Sequence, residues 1–394
     1  MLKEKIHQLA ANYQSEWSAI RRHLHMNPEL SFKEFETASY IRHKLTEWGI
    51  DYEVKADTGT VATIKGREPN SSLTALRADI DALPIQETNA VPYISKKPGV
   101  MHACGHDVHT TSLLGCVKLL KETADDWKGT VRAIFQPGEE MLPGGATLLI
   151  KEGVLEGPSP DCILGQHVEP LMPVGKVGLK PGIFMASADE IYVTIDGKGG
   201  HGAKPHLCID PILIASQMIV QMQQVVSRRA DPLMPSVLTF GKINSVGGST
   251  NIIPNQVKLM GTFRTFDEKW RYEAHDLLKE MAVGLCRSMG ASCDFDIRVG
   301  YPFLKNNEDL TSMVKKEMIN YLGAENVLDI EARMGGEDFA FYSQQIPATF
   351  YRLGVDNPNK TGLHTPTFDI DERALTTGVG LMAWLATQGL SNRM

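Results

Sequence analysis

One short loop of the sequence carries two side chains of metal-binding type. In HACGHDVHT, Cys104 and His106 flank a single glycine directly before a helical pattern, so a tight loop could turn both toward one cation. A thiolate and an imidazole are ligands that suit zinc, manganese or nickel. Taken alone, the pattern fits equally well with a core thiol beside a capping histidine. Neighbouring residues must therefore decide between the two.

A pair of adjacent carboxylates follows a predicted strand. Glu139 and Glu140 come after the strand VRAIF and the turn residues Pro137 and Gly138. Neighbouring carboxylates repel each other and lose hydration on burial, and a cation would offset both costs. On this interpretation one Glu binds metal, and the other is a base toward a water whose pKa the metal lowers. The alternative is an exposed acidic turn, which is the commoner setting for a Glu-Glu pair.

Two histidines and two aspartates lie where they would complete such a site. His167 ends the strand CILGQH, and His364 lies in a GLHTP turn, although a single histidine in either place is usually structural or solvated. Asp79 and Asp81 alternate in RADIDALP, so both would point to one face and orient a ligand histidine or the base. The alternative for the aspartates is a capped turn before Pro84.

A cysteine nucleophile is the other chemistry that this loop allows. Cys104 would then attack the substrate directly, with His106 or His109 as its base. That hypothesis leaves the acidic pair and the two loop histidines unexplained. The metal-site hypothesis is therefore favoured.

The elements that must position these residues predict an α/β catalytic domain. Apolar runs indicate the strands VATIK, LTALRAD, VRAIF and CILGQH, which alternate with helical patterns such as 33–48 and 109–123. In such folds the chemistry gathers just beyond the carboxyl ends of the strands. The loops ADIDALP, QPGEE and QHVEP lie at those positions. We expect a mixed sheet that is flanked by helices and presents these loops together.

A second pattern interrupts the first. Its elements run β-α-β-β-α-β, with one helix capped by Asp210 and another opened by Thr265 and Glu268 as a capping box. This order predicts an inserted α+β satellite domain of the split βαβ, ferredoxin-like type. The expected boundaries are 1–181 with 299–394 for the catalytic domain and 182–298 for the satellite domain.

The overall composition excludes several classes of protein. A chain of 394 residues is longer than one core usually grows, which favours two domains. The net charge of -7 is spread along the chain and argues against nucleic acid or an anionic membrane as partner, so we expect a small molecule. No apolar run approaches the ~18 residues of a membrane span, and the start lacks a signal-peptide pattern. We therefore expect a cytoplasmic protein whose cysteines are free thiols or metal ligands.

The combined segments resemble one family. The resemblance rests on motifs in matching order from about residue 20 to 375, namely RRHLHMNPELSFKE, RADIDALPI, MHACGHDVHT, FQPGEE, PVGKVG, MASADE, GKGGHGAKPH, GGSTNIIPN, GGEDF and LHTPTFDIDE. They are similar to the amidohydrolase branch of the aminoacylase/carboxypeptidase metallopeptidase family. That branch includes hippurate hydrolases, N-acetyl-amino-acid and N-acetyldiaminopimelate deacetylases, and plant auxin-conjugate hydrolases. The resemblance implies metal-dependent cleavage of the amide bond of N-acyl amino acids, with a dipeptidase or aminopeptidase-like exopeptidase as the alternative.

The resemblance also implies roles for the candidate residues. Two divalent metal ions (zinc, manganese, nickel or cobalt) would share the ligands Cys104, His106, Glu140, His167 and His364. Glu139 would be the general base, and an acidic helper would be either Asp79 or Asp81, between which the motif does not decide. One departure is Gly138 in QPGEE, where many relatives have alanine, and we expect it to loosen that turn.

The satellite domain would supply further groups. His201 matches a histidine that polarises the substrate carbonyl and can reach a neighbouring subunit's site, and Asn251 and Arg264 match positions that hold the oxyanion or carboxylate of the substrate. The alternative roles are structural: His201 would stiffen a Gly-rich loop, Asn251 would cap a turn, and Arg264 would be a solvated strand residue. The resemblance further implies a homodimer or homotetramer formed through this domain, which would also close as a lid.

Overall fold

A computed structural model describes residues 1–357 and 361–390 of the chain. Its helices are α1 (Leu2–Asn12), α2 (Gln14–Met26), α3 (Phe35–Glu47), α4 (His106–Glu122), α5 (Gly145–Lys151), α6 (Pro211–Gln224), α7 (Glu268–Ser288), α8 (Glu308–Leu322), α9 (Ala340–Ser343) and α10 (Ala374–Ala386). Its strands are β1 (Tyr52–Lys55), β2 (Gly59–Lys65), β3 (Leu73–Asp79), β4 (Thr130–Gln136), β5 (Cys162–Glu169), β6 (Val177–Leu179), β7 (Gly182–Met185), β8 (Ala188–Asp196), β9 (Gly200–His201), β10 (Ser236–Val246), β11 (Ile252–Ile253), β12 (Gln256–Thr265), β13 (Ser292–Tyr301), β14 (Leu304–Asn306), β15 (Val327–Asp329) and β16 (Ala348–Gly354). No helix within the described residues combines the length and apolar character that crossing a membrane would need.

The described residues form two compact units. Unit 1 comprises Met1–Phe184, Lys305–Ala332 and the described part of Asp338–Met394, and unit 2 comprises Met185–Leu304 and Arg333–Glu337. Each unit contains a buried apolar cluster of its own. The satellite role of 182–298 stays a prediction.

Unit 1 is built around a mixed sheet. Among the described residues, eight strands pair in the order β1-β2-β4-β3-β5-β16-β6-β15. β3 lies parallel to β4 and β5, and β5 lies parallel to β16, whereas β2 pairs antiparallel with β4. β3, β5 and β16 are buried along their whole length, as expected of central strands that are covered on both faces. α4 and α10 pack against this sheet, so the predicted α/β fold with a mixed sheet and flanking helices is confirmed.

The carboxyl ends of the central strands bring the candidate loops to one edge of the sheet. β3 ends at Asp79 and β4 at Gln136, and these two residues are paired directly. The loops RADIDALP and QPGEE therefore leave the sheet side by side, as predicted. β5 extends to Glu169, beyond the predicted end, so His167 lies inside the strand.

A glycine sets the start of α4 above β5. Gly105 has a φ of +83°, a backbone conformation that side chains other than glycine rarely adopt. A Cβ atom at this position would lie 2.5 Å from Cγ2 of Val168, so the loop passes close over the strand only because residue 105 lacks one. α4 then begins at His106, three residues before the predicted helix start.

Unit 2 has an antiparallel sheet with the strand order β10-β12-β8-β13. In chain order its main elements are β8, α6, β10, β12, α7 and β13. Apolar residues of α6 and α7 pack with those of the sheet in one buried cluster. The helices therefore cover the apolar side of this unit's sheet.

The helices of unit 2 begin with aspartate caps. Asp210 accepts hydrogen bonds from two backbone N–H groups of the first turn of α6, as predicted. At α7 the prediction was wrong: Asp267 is the cap, and it accepts from the Trp270 backbone N at 2.6 Å. Thr265 is still part of β12, and Glu268 is the first helical residue, so the pair cannot form a capping box.

A buried carboxylate near the start of β8 ties α7 to the sheet. Asp189 accepts hydrogen bonds from Arg271 Nε at 2.8 Å, from His275 Nε2 at 2.7 Å and from the Gly300 backbone N at 3.0 Å. Burial alone would raise the pKa of Asp189, but the donors from Arg271 and His275 hold that pKa below its usual value. The ionised form is therefore favoured by folding.

We expect Asp189→Asn to lower the free energy of unfolding by about 1.5–3 kcal/mol near neutral pH, because charge-assisted hydrogen bonds are lost. Since the folded-state pKa of Asp189 is depressed, its stabilisation is complete above the unfolded-state pKa of about 3.9 and disappears as the pH falls through the folded-state value. Urea unfolding across this range should show the gap between wild type and variant narrowing in acid. Asp296→Asn, at a position that is 60% exposed, is the control, and a gap that widens in acid would contradict the assignment.

Candidate metal centre

The structure brings the five candidate ligands of unit 1 together. Cys104 Sγ lies 3.5 Å from His167 Nε2 and 3.3 Å from His364 Nε2. Glu140 Oε1 lies 3.5 Å from His364 Nε2 and 3.9 Å from His106 Nε2. Bonds of about 2.3 Å to sulfur and about 2.0 Å to nitrogen separate two tetrahedral ligands of one zinc ion by about 3.5 Å. The observed sulfur–nitrogen distances agree with that value.

These ligands fall into two overlapping groups. Ligand atoms of Cys104, His106 and His167 all lie within 4.8 Å of one another, and so do those of Cys104, Glu140 and His364. Cys104 belongs to both groups. The arrangement therefore fits a pair of cations that share the sulfur of Cys104.

Two buried ligand atoms have no hydrogen-bond partner among the described residues. They are Nε2 of His106 and Oε1 of Glu140. Leaving a buried polar atom unpaired costs about 1–3 kcal/mol, and a divalent cation between the ligands would satisfy both atoms. The donor set of one sulfur, three imidazoles and one carboxylate also matches borderline divalent metals. The residues therefore fit a metal centre.

The Nε2 atoms of the buried imidazoles of His106 and His167 lie at this cluster. His106 Nδ1 donates to Asp81 Oδ1 at 3.0 Å, and His167 Nδ1 donates to the Val168 carbonyl at 2.8 Å. A neutral imidazole that donates from Nδ1 carries its lone pair on Nε2. Such second hydrogen bonds orient histidines for metal binding. Burial holds the pKa of His167 well below its usual value, which keeps this ring neutral and able to bind metal.

The electrostatics of the cluster favour a cation over a thiol nucleophile. Burial, followed by the charge of Glu140, raises the pKa of the Cys104 thiol. A reactive cysteine needs a lowered pKa, whereas a bound cation deprotonates a thiol directly. Interactions with Cys104 and the nearby carboxylate of Glu140 raise the pKa of His364 to about 10, so positive charge is stabilised at this position. The cluster therefore attracts positive charge, and Cys104 has the surroundings of a ligand.

The acidic turn after β4 places two carboxylates beside the cluster. The Glu140 backbone N donates to Asp81 Oδ2 at 2.9 Å. The side chain of Glu139 is 7% exposed, and its carboxylate lies within 4.8 Å of ligand atoms of His106 and Glu140. Glu140 is therefore a member of the candidate cluster, and Glu139 lies directly beside it.

Gly138 gives this turn a close contact with another part of unit 1. It has a φ of +60°, and a Cβ atom there would lie 2.2 Å from Cε1 of Phe32. Real Cβ atoms do not approach other atoms so closely, so the packing of Phe32 requires glycine. The sequence predicted that Gly138 would loosen the turn, but it gave no indication that Phe32 packs against this glycine.

We expect Gly138→Ala to destabilise the protein by about 1–3 kcal/mol more than Gly99→Ala, because the added methyl group must displace the Phe32 ring. Gly99 is a matched control, since its φ is +75° and a Cβ atom there would meet nothing within 4 Å. Both substitutions introduce left-handed strain, and only one introduces overpacking. Urea unfolding of the two variants would measure the difference, and equal stabilities would contradict the packing of Phe32 on Gly138.

Asp79 and Asp81 orient different histidines. Asp81 holds His106, a member of the cluster, through the bond to Nδ1. Asp79 Oδ1 accepts from His109 Nδ1 at 2.6 Å, and His109 Nε2 accepts from the Val168 backbone N at 2.9 Å. Both ring nitrogens of His109 are therefore used in hydrogen bonds. From the sequence, His109 was interpreted only as a possible base for a cysteine nucleophile, and this supporting role was not predicted.

The sequence also missed the buried polar network beneath Asp79. Arg77 donates to Asp79 Oδ2 at 2.7 Å and to Asp338 Oδ1 at 2.5 Å. Gln136 Nε2 donates to both oxygens of Asp338 at 2.8 and 2.7 Å. The alternation of Arg77 with Asp79 in a mostly apolar strand is the sequence feature that could have indicated this network. A cation buried in a strand needs carboxylate partners.

The other predicted site residues lie in unit 2. β9 pairs with β11, and the Gly202 backbone N donates to the Asn251 carbonyl at 2.7 Å. His201, at the end of β9, and Asn251 are therefore brought together on neighbouring, exposed segments. Arg264 Nη1 donates to the Met334 carbonyl at 2.9 Å, which ties β12 to the Arg333–Glu337 segment of the same unit. The roles of these residues toward a substrate stay predictions.

Comparison with known proteins gives extensive matches. The sequence pattern of peptidase family M20/M25/M40 matches residues 75–388. An N-acetyl-L-cysteine deacetylase of Bacillus subtilis is 44% identical over 358 residues, covering 90% of this chain and 84% of that protein. An N-acyl-L-amino acid amidohydrolase of Geobacillus stearothermophilus is 41% identical over 302 residues, covering 76% and 80%. The crystal structure of a dinuclear metal binding peptidase from M20 family, from Bacillus subtilis, has a TM-score of 0.81 and 37% identity, covering 96% of this chain and 98% of that chain.

Proposed function

Because the chain belongs to peptidase family M20/M25/M40, we propose that it is a metal-dependent amidohydrolase that cleaves the amide bond of N-acyl amino acids. The observation that carries the proposal is the cluster in which Cys104 joins two groups of candidate ligands, with Glu139 beside it. Two relatives that are more than 40% identical are named for N-acyl and N-acetyl amino acid substrates, which supports this substrate class.

The proposed cofactor is a pair of divalent cations. The ligands in the proposal are Cys104, His106, Glu140, His167 and His364. Bound there, the cations would polarise the amide carbonyl and lower the pKa of a water molecule. Zinc, manganese, nickel and cobalt all suit this donor set. A solved relative described as a dinuclear metal binding peptidase supports the number of ions.

Glu139 is the proposed general base. It removes a proton from the water that attacks the carbonyl carbon, and it then delivers a proton to the leaving nitrogen as the C–N bond breaks. The products are a carboxylic acid and a free amino acid. The position of Glu139 supports this role, because Glu139 adjoins the proposed ligand Glu140 and is nearly inaccessible to solvent.

Asp81 is the stronger candidate for the acidic helper. Its carboxylate joins two parts of the proposed centre, since Oδ1 accepts from the ring of His106 and Oδ2 accepts from the backbone N of Glu140. Asp79 instead holds His109 through the bond to its Nδ1. We therefore assign Asp81 to the positioning of the metal ligands and Asp79 to the support of the surrounding frame.

We propose that unit 2 serves substrate binding and assembly, as the resemblance implies for 182–298. His201 would polarise the carbonyl, and Asn251 and Arg264 would hold the oxyanion or carboxylate. The exposed apolar side chains of α6, with Val220 75% and Leu213 50% exposed, are consistent with a homodimer or homotetramer formed through this unit. A lid role for this unit and a cytoplasmic location are also kept as predictions.

Metal replacement combined with a substrate panel tests the proposed function. We expect hydrolysis of N-acetyl amino acids or hippurate to disappear when a chelator has removed the metal and to return with at least one of the four divalent metals. Faster cleavage of dipeptides would favour the exopeptidase alternative, which the peptidase description of the solved relative supports. Activity that persists in protein shown to be free of metal would contradict the proposal.

A further inference from the structure

A segment far from the predicted site in sequence contacts the acidic turn. It consists of residues 31–34, which immediately precede α3 and belong to the NPELSFKE motif, to which the sequence assigned no role. Glu34 is the N-cap residue of α3, yet its side chain accepts no capping hydrogen bond from that helix in the described structure. The carboxylate is nevertheless completely buried. Its partners lie elsewhere.

The carboxylate of Glu34 connects three parts of unit 1. Oε1 accepts from the Gly138 backbone N at 2.8 Å and from the Phe32 backbone N at 2.9 Å. Oε2 accepts from Thr58 Oγ1 at 2.8 Å. Gly138 is the residue directly before Glu139, so the bond to its N–H fixes the backbone from which the proposed base extends.

The ring of Phe32 supports the same point of the turn. Phe32 has a φ of +63°, which costs about 1–2 kcal/mol for a residue with a side chain. This conformation places its ring against Gly138, where a Cβ atom would not fit. One oxygen of Glu34 thus holds the two left-handed residues, Phe32 and Gly138, side by side.

Ser31 reaches the far end of the turn through Asp81. Ser31 Oγ donates to Asp81 Oδ2 at 2.6 Å, and the Glu140 backbone N donates to the same oxygen at 2.9 Å. The segment is therefore linked to the turn both before and after Glu139. A residue held at both of its neighbours has little freedom to rotate its backbone.

We propose that Ser31, Phe32 and Glu34 form a brace that positions Glu139 for proton transfer, with Glu34 as its main positioning residue. The inference rests on the proposed function of Glu139 as general base. Glu34 acts through the N–H group of Gly138 and does not touch the substrate. Since a misplacement of about 1 Å in a reacting group costs about 100-fold in rate, loss of the brace lowers kcat. KM changes little, because the brace does not bind substrate.

Two substitutions at Glu34 test the brace. Glu34→Ala removes the acceptor for Gly138, and we expect kcat to fall by about 10- to 100-fold with KM within about threefold. Glu34→Gln keeps an oxygen acceptor of the same size, and we expect it to retain most of kcat. Burial, followed by the charge of Asp81, raises the pKa of Glu34 to about 7, so glutamine is also a fair mimic of its protonated form. Metal content should equal that of wild type in both variants.

Glu29→Ala is the matched control. Glu29 accepts hydrogen bonds from the first turn of α3, including the Thr37 backbone N at 2.8 Å, so its loss weakens the same helix start without removing a bond to the acidic turn. We expect Glu29→Ala to keep kcat. If Glu34→Ala is folded, retains its metal and has the kcat of Glu29→Ala, the brace is wrong. Equal losses in Glu34→Ala and Glu34→Gln would also overturn it.

Hydrogen exchange separates the brace from the proposed function. Mass spectrometry should show faster amide exchange in 136–141 for Glu34→Ala than for wild type, and near wild-type exchange for Glu34→Gln. If wild type hydrolyses no N-acyl amino acid, the proposed function fails, and the exchange result still reports on the brace. Unchanged exchange in Glu34→Ala would overturn the brace whatever the activity.

Discussion

Glu139→Gln will reduce kcat for hydrolysis of N-acyl amino acids by about 10²–10⁴-fold while leaving the metal content unchanged. Glutamine has the size of glutamate, so the packing of this nearly buried side chain should persist. It cannot accept a proton from water at neutral pH, and it cannot return one to the leaving nitrogen. Both proton transfers of the proposed reaction are lost together, which is why the effect is large. Steady-state kinetics and elemental analysis of the same preparation measure the two quantities.

The neighbouring glutamate provides the contrast that this experiment needs. Glu140 belongs to a group of metal-ligand atoms with Cys104 and His364, so Glu140→Gln should lower metal occupancy as well as activity. Glu53→Gln, at a position that is 77% exposed, should change neither quantity. If Glu139→Gln loses metal and Glu140→Gln keeps it, the two roles are exchanged. If Glu139→Gln retains wild-type kcat, the proposed mechanism is wrong.

Local sequence patterns were sufficient for the frame of unit 1. Short apolar runs predicted the strands that became β2 to β5, since a strand covered on both faces leaves a continuous apolar signal. The parallel arrangement then required that loops after neighbouring strands meet at one edge. That rule is why residues as distant as Asp81 and Glu140 could be considered together, and the structure places them in hydrogen-bond contact.

Contacts between distant segments were beyond that reasoning. Nothing in the local pattern of RADIDALP indicates that Arg77 pairs with Asp338, because the two residues are 261 positions apart. The packing of Phe32 on Gly138 is similar, since the sequence shows a glycine but not the ring that requires it. The wrong cap of α7 had a different cause: Thr265 and Glu268 have the spacing of a capping box, but pairing with β10 extends β12 as far as Thr265.

The local sequence pattern also does not distinguish the roles of Asp79 and Asp81. Their alternation in sequence places both on one face of an ideal strand, and that is as far as periodicity goes. The structure ends β3 at Asp79, so Asp81 lies in the loop, where it accepts from His106 and from the backbone of Glu140. A one-dimensional pattern cannot show where a strand stops within such a run.

We expect Cys104→Ala to release both ions of the proposed metal pair, whereas His364→Ala should release about one of the two. Cys104 belongs to both groups of ligand atoms, and its removal leaves each group with two members. His364 belongs to the group of Cys104 and Glu140, so its removal leaves Cys104, His106 and His167 intact. Elemental analysis after dialysis against metal-free buffer measures the stoichiometry directly.

Cys116→Ala is the control for loss of a buried thiol, because Cys116 is fully buried in α4 and lies outside both ligand groups. It should retain the wild-type metal content, even if the small cavity lowers stability. The comparison also decides between the two chemistries open to Cys104. If Cys104 were only a nucleophile, its replacement by alanine would leave the metal content unchanged. The raised pKa of Cys104 describes the thiol when no cation is bound. Full metal content in Cys104→Ala would therefore reject the shared-sulfur arrangement, whereas loss of both ions with intact folding would support it.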